Sequence, residues 1–108
     1  MKIKRLTVGD VCTLTEEVSS SFGKPGDRVI IEEVSMSQGE VEYSTTAGAW
    51  LSSKDLELLY PASQKSLELL TESQLLESGE EFDEDGAEDY DTWTERMYSL
   101  WEDRLRAL

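Results

Sequence analysis

The chain has no histidine, one cysteine and two prolines among its 108 residues. Without histidine it lacks the commonest general base and metal ligand. With Cys12 as its only thiol, it can form neither an internal disulfide nor a zinc site built on several cysteines. No segment approaches the roughly 18 consecutive apolar residues that a membrane span requires. These absences exclude zinc fingers, disulfide scaffolds and Cys/His catalysis, and they argue against a membrane-spanning protein.

Basic residues are also scarce, since ten Lys and Arg stand against 24 Asp and Glu and the net charge is −14. A surface this acidic repels nucleic acids and anionic lipids, which proteins bind through Lys and Arg. The same potential attracts basic proteins. The lone thiol, together with a start that has no secretory apolar segment, favours a cytoplasmic location. We therefore expect a basic protein partner and no direct contact with nucleic acid or membrane.

The pattern of residues divides the chain near residue 60. Residues 1–60 hold ten acids and six bases, whereas residues 61–108 hold fourteen acids and four bases. The first part has the short β-branched segments and frequent turns that are typical of an all-β fold. Strands are predicted at 10–15, 28–34, 40–46, 49–51 and 56–60, with a tight hairpin turn at 37–39 and a single helical turn at 52–55.

The order of these features resembles the SH3-like small-barrel superfamily. The likeness is carried by residues 8–11, 25–27, the Gly39 hairpin, Trp50-Leu51 and residues 55–58. It implies that residues 1–60 close into a five-stranded barrel in which Ser53–Asp55 forms the helical turn before the last strand. Members that bind proline-rich peptides use clustered surface aromatics, for which the candidates are Phe22, Tyr43, Trp50 and Tyr60, with core packing as the alternative. Cys12 is expected to be a buried, unreactive thiol.

Residues 61–108 are predicted to form a helical, acidic appendage, so the fold class is α+β. A first helix is expected at 63–78, with Leu67, Leu70 and Leu75 along its apolar stripe, Leu69 and Leu76 beside them, and Gly79 ending it. A second is expected at 92–108, with Thr92 and Glu95 as its capping box. Its apolar stripe comprises Trp93, Met97, Leu100, Trp101, Leu105 and Leu108.

Between the helices lies the acidic run, residues 77–91, which contains nine acids and no base. Self-repulsion predicts that the run is mobile unless cations or a basic protein neutralise it. Four of its residues match positions 1, 3, 5 and 6 of an EF-hand loop: Glu81, Asp83, Asp85 and Gly86. Position 1 is Glu instead of Asp, and Glu88 and Thr92 do not fit positions 8 and 12, so calcium binding is retained only as an alternative.

No arrangement of residues favours catalysis. Paired carboxylates would need a cleft that fixes their separation, and the chain has no glycine-rich phosphate loop and no nucleophile elbow. We therefore expect no enzymatic activity and no cofactor. A row of carboxylates can instead imitate a phosphate backbone. In size and composition the chain is similar to the acidic DNA-mimic inhibitors that phages and mobile elements make.

The sequence thus predicts a non-enzymatic regulator or inhibitor that engages a basic, nucleic-acid-binding protein. The expected contacts are electrostatic at Glu80, Glu81, Asp83, Glu84, Asp85, Glu88, Asp89 and Asp91, and apolar at Trp93, Met97 and Trp101. Several alternatives stay open. The apolar stripe of the second helix can dock within the chain or pair two copies in a homodimer, the acidic run can be a solvated linker, and the protein can be an adaptor subunit that binds through the barrel.

Overall fold

The computed structural model describes residues 5–18, 23–48 and 50–108. The strands are β1 (Val11–Leu14), β2 (Arg28–Ser37), β3 (Glu40–Thr45), β4 (Trp50–Ser52) and β5 (Leu56–Tyr60), and the helices are α1 (Gln64–Ser78) and α2 (Tyr90–Arg106). A 3-10 turn, Ser53–Asp55, separates β4 from β5. The α+β class, the five strands and the short turn are confirmed. Phe22 and Ala49, which carried two of the predictions, lie outside the described residues.

The five strands form one antiparallel sheet in the order β4-β3-β2-β1-β5. The long strand β2 pairs with β1 through its first three residues and with β3 through the remainder. The sheet is open, because β4 and β5 lie at opposite ends of the order. The closure expected of a barrel is therefore not shown among the described strands.

The hairpin between β2 and β3 confirms the predicted turn. Ser37 pairs with Glu40, so Gln38 and Gly39 form a two-residue loop. The φ angles of these two residues are 51° and 81°. A type I′ turn requires positive φ at both positions, and its twist matches that of the flanking strands.

The inner face of the sheet forms the first core. Its buried members are Leu6, Cys12, Leu14, Val18, Val29, Ile31, Tyr43, Leu51 and Leu56. Tyr43, one of the candidate surface aromatics, is a core residue whose hydroxyl accepts a hydrogen bond from the Leu6 N–H at 3.2 Å. The Cys12 thiol is fully buried, as predicted, and burial with the nearby Asp10 charge raises its pKa to about 12.

The two helices cover the β1 end of the outer face. Val11 and Ile30 are cross-strand partners that point away from the first core. They join residues of both helices in a second core, whose other members are Leu69, Leu70, Leu76, Trp93, Trp101 and Leu105. Val11 and Ile30 are 1% and 0% exposed. The helical part of the chain therefore shares an interior with the sheet.

The buried side of α1 differs from the predicted stripe. Leu67 and Leu75 are 44% and 36% exposed, so their assignment to the buried face is wrong. The buried positions are Ser66, Leu69, Leu70, Ser73 and Leu76, which follow three- and four-residue steps. Two small serines complete that stripe, and the Ser73 hydroxyl is satisfied by donating to the Leu70 carbonyl at 2.9 Å. The predicted stripe was based on the leucines alone and did not include Ser66 and Ser73. Gly79, with φ of 69°, ends α1 as predicted.

Helix α2 begins earlier than the sequence suggested. Its N-cap is Asp89, whose carboxylate accepts a hydrogen bond from the Thr92 N–H at 2.8 Å, so the predicted cap at Thr92 is wrong. Both Asp and Thr can cap a helix, and Asp89 lies about one turn before Trp93, the first residue of the apolar stripe, so the stripe did not indicate it. The predicted burial of Leu100 is also wrong, because its side chain is 50% exposed.

Arg28 of β2 fastens the far end of α2 to the sheet. Its Nη1 donates to the carbonyl oxygens of Leu105, Arg106 and Leu108 at 3.1, 3.0 and 3.3 Å. The last carbonyls of a helix have no partner within the helix and carry its negative dipole end. The Arg28 guanidinium group supplies both a hydrogen-bond donor for these carbonyls and a positive charge at the negative end of the helix dipole. Its Cζ atom lies 5.8 Å from the centre of the Tyr60 ring.

Candidate functional site

The acidic run connects α1 to α2 through two turns. After the C-cap at Gly79, the Phe82 N–H donates to the Gly79 carbonyl at 3.1 Å. The Gly86 N–H then donates to the Asp83 carbonyl at 3.1 Å, and the Asp83 carboxylate accepts the Asp85 N–H at 3.0 Å. Asp side chains favour such turns because they can hydrogen-bond to backbone two residues ahead. The carboxylates of the run are therefore carried on a defined backbone.

Phe82 attaches this connection to α2. Its ring lies edge-on to Tyr90 at 5.2 Å and to Trp93 at 5.5 Å between ring centroids. Such edge-to-face pairs add about 0.5–1.5 kcal/mol to the area that each ring buries. This packing role of Phe82 was not predicted from the sequence, although Phe82 is the only aromatic residue between Leu76 and Tyr90. An apolar ring inside an acidic segment was the signal.

Most of the acids predicted to meet a partner are at the surface. Seven are exposed, namely Glu80, Glu81, Asp83, Glu84, Asp85, Asp89 and Asp91, and Glu88 is half-buried. Three of the eight have structural roles within the described part of the chain, since Asp83 closes a turn, Asp89 caps α2 and Glu88 pairs with a base. The carboxylates of the remaining five have no hydrogen bond or ion pair with any other described residue.

The one ion pair of the run among the described residues joins Glu88 to Arg96. Arg96 Nε and Nη2 donate to the two carboxylate oxygens of Glu88 at 3.0 and 2.8 Å, a bidentate arrangement. These hydrogen bonds lower the pKa of Glu88 and raise that of Arg96. The hydrogen bonds from Thr92 likewise lower the pKa of Asp89. Arg96 is thus engaged and leaves the charge of the other acids in place.

The predicted apolar anchors lie inside the protein. Trp93 and Trp101 are 7% and 4% exposed, and Met97 packs against the same core. The Trp101 indole N–H donates to the Leu69 carbonyl at 2.7 Å. The assignment of Trp93 and Trp101 as partner contacts is corrected, because side chains buried this deeply have no face to offer, and Met97 is partly buried against the same core. The alternative, in which the stripe of α2 docks against the sheet and α1, is the arrangement observed. The alternative of a homodimer through this helix loses its apolar stripe for the same reason.

A second group of acids lies where β2 meets the helices. Burial raises the pKa of Glu32, and the charge of Glu77 raises it further. Glu32 Oε1 is buried without a hydrogen-bond partner among the described residues. Burial and the charge of Glu77 also raise the pKa of the Tyr98 hydroxyl. Negative potential therefore extends from the end of α1 onto the sheet, a feature that the sequence analysis missed because it requires the tertiary fold.

One more surface was considered only as an alternative. We define the open sheet face as the outer side of β2, β3 and β4, comprising Glu33, Ser35, Ser37, Glu40, Glu42, Ser44, Trp50 and Ser52. None of its residues belongs to the second core that the helices form with the sheet, and its Trp50 side chain is 49% exposed. A cleft of about 810 Å³ adjoins this face and is lined in part by Glu40, Glu42 and Trp50.

Comparison with known proteins gave no relative. A scan against protein-family models, a search of curated proteins and a search of solved structures each found no match. Among residues 5–18, 23–48 and 50–108, no group of three or more Cys, Asp or Glu side chains is placed to hold a metal ion. Within the same ranges, the helices are too short and too polar to cross a bilayer. The resemblances to SH3-like barrels and DNA-mimic inhibitors stay predictions.

Proposed function

We propose that this protein is a non-enzymatic regulator that binds a basic partner protein through the acidic run. The observation that carries the proposal is the exposure of seven carboxylates on a connection whose turns and Phe82 contacts give it a defined shape. The sheet, which we propose to be of the SH3-like kind, serves as the scaffold. The partner is a nucleic-acid-binding protein, because its binding groove is cationic and accepts a succession of negative charges.

Binding of this kind depends mainly on charge. With Trp93 and Trp101 in the core, no large apolar anchor lies among the predicted contacts. A single exposed ion pair contributes about 0.2–1 kcal/mol. Five carboxylates that have no partner among the described residues can together supply a few kcal/mol and steer the approach of a cationic surface. The complex should therefore weaken steeply as salt screens these charges.

The proposal is tested with two variants of equal net charge. The run variant carries Glu80→Gln, Glu81→Gln, Glu84→Gln and Asp85→Asn. The control variant carries Glu16→Gln, Glu17→Gln, Glu57→Gln and Glu68→Gln, which neutralise four exposed acids elsewhere. None of the four substitutions in the run removes a contact that holds α1 to α2, because Asp83, Glu88 and Asp89 are left unchanged.

The wild-type protein and both variants are immobilised and exposed to the same cell extract. The proteins that each one retains are eluted with salt or with double-stranded DNA and identified by mass spectrometry. The proposal predicts a basic nucleic-acid-binding protein that the wild type and the control variant retain, that the run variant loses, and that DNA displaces. Equal retention by the two variants would contradict a specific role for the run.

A second candidate function is favoured by Trp50, whose side chain is half-exposed on the sheet. In this alternative the protein is an adaptor subunit that binds through the sheet, and the acidic run is a passive linker. The run variant separates the two, since an adaptor keeps its partner when these four acids are neutralised. Removing the chain after Gly79 is a poorer test, because it would strip α2 from Val11 and Ile30.

A further inference from the structure

The open sheet face has a regular chemical composition that follows from its strand register. Glu33, Ser44 and Trp50 lie side by side across β2, β3 and β4, and Ser35, Glu42 and Ser52 form the neighbouring row. Ser37 and Glu40 form the last pair before the hairpin. The face thus carries three glutamates, four serines and one tryptophan, and no basic residue belongs to it.

Trp50 is the aromatic residue of this face and lies on its edge strand, β4. It is the only exposed tryptophan of the three, because Trp93 and Trp101 are buried between the helices and the sheet. The ring of an exposed tryptophan attracts a cationic group placed over it, and nearby carboxylates add to the attraction. Glu33, Glu40 and Glu42 are all exposed on the same face. An arginine or lysine side chain meets both requirements at once.

The adjoining cleft gives room for more than one side chain. Its volume is about 810 Å³, and it passes around the edge of the sheet, because its lining includes Glu40, Glu42 and Trp50 of the open sheet face together with Met36 and Val41 of the other side. Met36 is 58% exposed, so the cleft can take the aliphatic part of a long side chain. Arg5 and Lys54 also line the cleft, so a uniformly basic ligand fits it less well than one in which cations alternate with neutral residues.

A second copy of the chain does not fit this surface. Two copies would bring their three glutamates together, and each chain carries a net charge of −14. An anionic lipid surface or a nucleic acid is repelled for the same reason. Charge complementarity selects an occupant with spaced cationic side chains.

We propose that the open sheet face binds an extended protein segment in which arginine or lysine alternates with neutral residues, with one cation held over Trp50 beside Glu42, and with Glu33 two strands further along the same row as Trp50. This inference rests on the proposed function only for the cationic character of the partner. It adds a second contact surface, formed by strands β2 to β4, whereas the acidic run lies between the two helices.

The test uses an eight-residue peptide in which arginine alternates with threonine, titrated into the full chain labelled with ¹⁵N. The indole N–H signal of Trp50 is expected to shift on saturation, while those of the buried Trp93 and Trp101 stay in place. Trp50→Ala is expected to weaken peptide binding about two- to fivefold, the range of a cation over an exposed ring. Glu33→Gln with Glu42→Gln is expected to weaken it by a similar factor.

Controls separate this surface from general charge. Leu100→Ala removes a side chain of comparable exposure from α2, and it should leave binding of the peptide unchanged. A peptide in which citrulline replaces arginine keeps the shape and loses the charge, so it should fail to shift the Trp50 signal. Equal binding by the Trp50→Ala and wild-type proteins would overturn the inference.

The same titration distinguishes the two proposals. Shifts at the backbone signals of residues 80–85 with none at Trp50 would overturn the sheet-face inference and leave the proposed function standing. Shifts at Trp50 with none in the acidic run, together with retention of the captured partner by the run variant, would support the inference and remove the proposed function.

Discussion

At the scale of single residues, the Arg28 side chain connects the sheet to the last helix. It stands at the start of β2, and its guanidinium group donates to three carbonyls at the end of α2. It also lies over the ring of Tyr60 at the end of β5. One residue therefore links two strands and the last helix, which composition and periodicity do not indicate.

We expect Arg28→Met to lower the free energy of unfolding by about 1–3 kcal/mol, because it leaves the helix carbonyls without a charged donor. The free energy is obtained from urea unfolding with an unchanged slope. Arg104→Met is the matched control. Arg104 pairs with Glu72 at 2.7 Å but is half-exposed, so its loss should cost less than about 1 kcal/mol. An equal decrease in the free energy of unfolding for the two variants would show that the Arg28 contact with α2 stabilises the fold no more than an exposed ion pair does.

Glu32 gives a prediction about pH. Its pKa is raised in the folded protein, first by burial and then by the charge of Glu77, so ionisation of Glu32 opposes folding. The cost is absent well below the usual pKa of 4.5 and is complete above the raised value. We expect Glu32→Gln to increase the free energy of unfolding at pH 7 by at most about 0.5 kcal/mol, because solvent screens part of the unfavourable charge. The gain should vanish at low pH.

The check is urea unfolding of the wild type and Glu32→Gln at neutral and acidic pH. Glu33→Gln is the control, because Glu33 is the adjacent residue on the same strand and is exposed. The account of Glu32 fails if both variants gain the same stability at pH 7, or if the gain persists below the usual pKa.

At the scale of elements, the strands were predictable and the helix faces were only partly so. Each strand is bounded by turn residues such as Pro25 and Gly39, and these punctuate the sequence whatever the tertiary structure. The buried side of α1 depends on Ser66 and Ser73, small residues that apolar periodicity passes over. Phe82 was missed because the charge around it dominated the interpretation. The open sheet face could be recognised only from the strand register, which places Glu33, Ser44 and Trp50 in one row across three strands.

The start of α2 can be tested directly. Asp89→Ala removes the side chain that accepts the Thr92 N–H, whereas Asp89→Asn keeps an acceptor in the same place. We expect the Ala variant to have a lower urea midpoint than the Asn variant at neutral pH. Because the pKa of Asp89 is lowered in the folded state, its contribution is present above the usual value of 3.8 and is lost as the pH falls through the folded value. Identical midpoints for Ala and Asn would remove Asp89 as the cap.

At the scale of the whole molecule, the shared core predicts that the sheet and helices unfold together. Val11 and Ile30 are buried by the helices, and exposing two such side chains costs about 3–6 kcal/mol. That is a large fraction of the total stability of a small domain. We expect far-UV circular dichroism and the backbone N–H signals of first-core strand residues such as Ile31 and Leu51 to report the same urea midpoint. Loss of the helical signal while those strand signals persist would indicate an appendage that is independent of the sheet.

The whole-molecule claim is that the acidic run, held between α1 and α2 by its turns and by Phe82, meets a cationic partner mainly through charge. Its most direct test is the Kd of the captured partner, measured across a salt series for the wild type, the run variant and the control variant. The account predicts a steep weakening with salt for the wild type and the control variant, and a weaker complex with a shallower dependence for the run variant. Coincident curves for the run and control variants would contradict it.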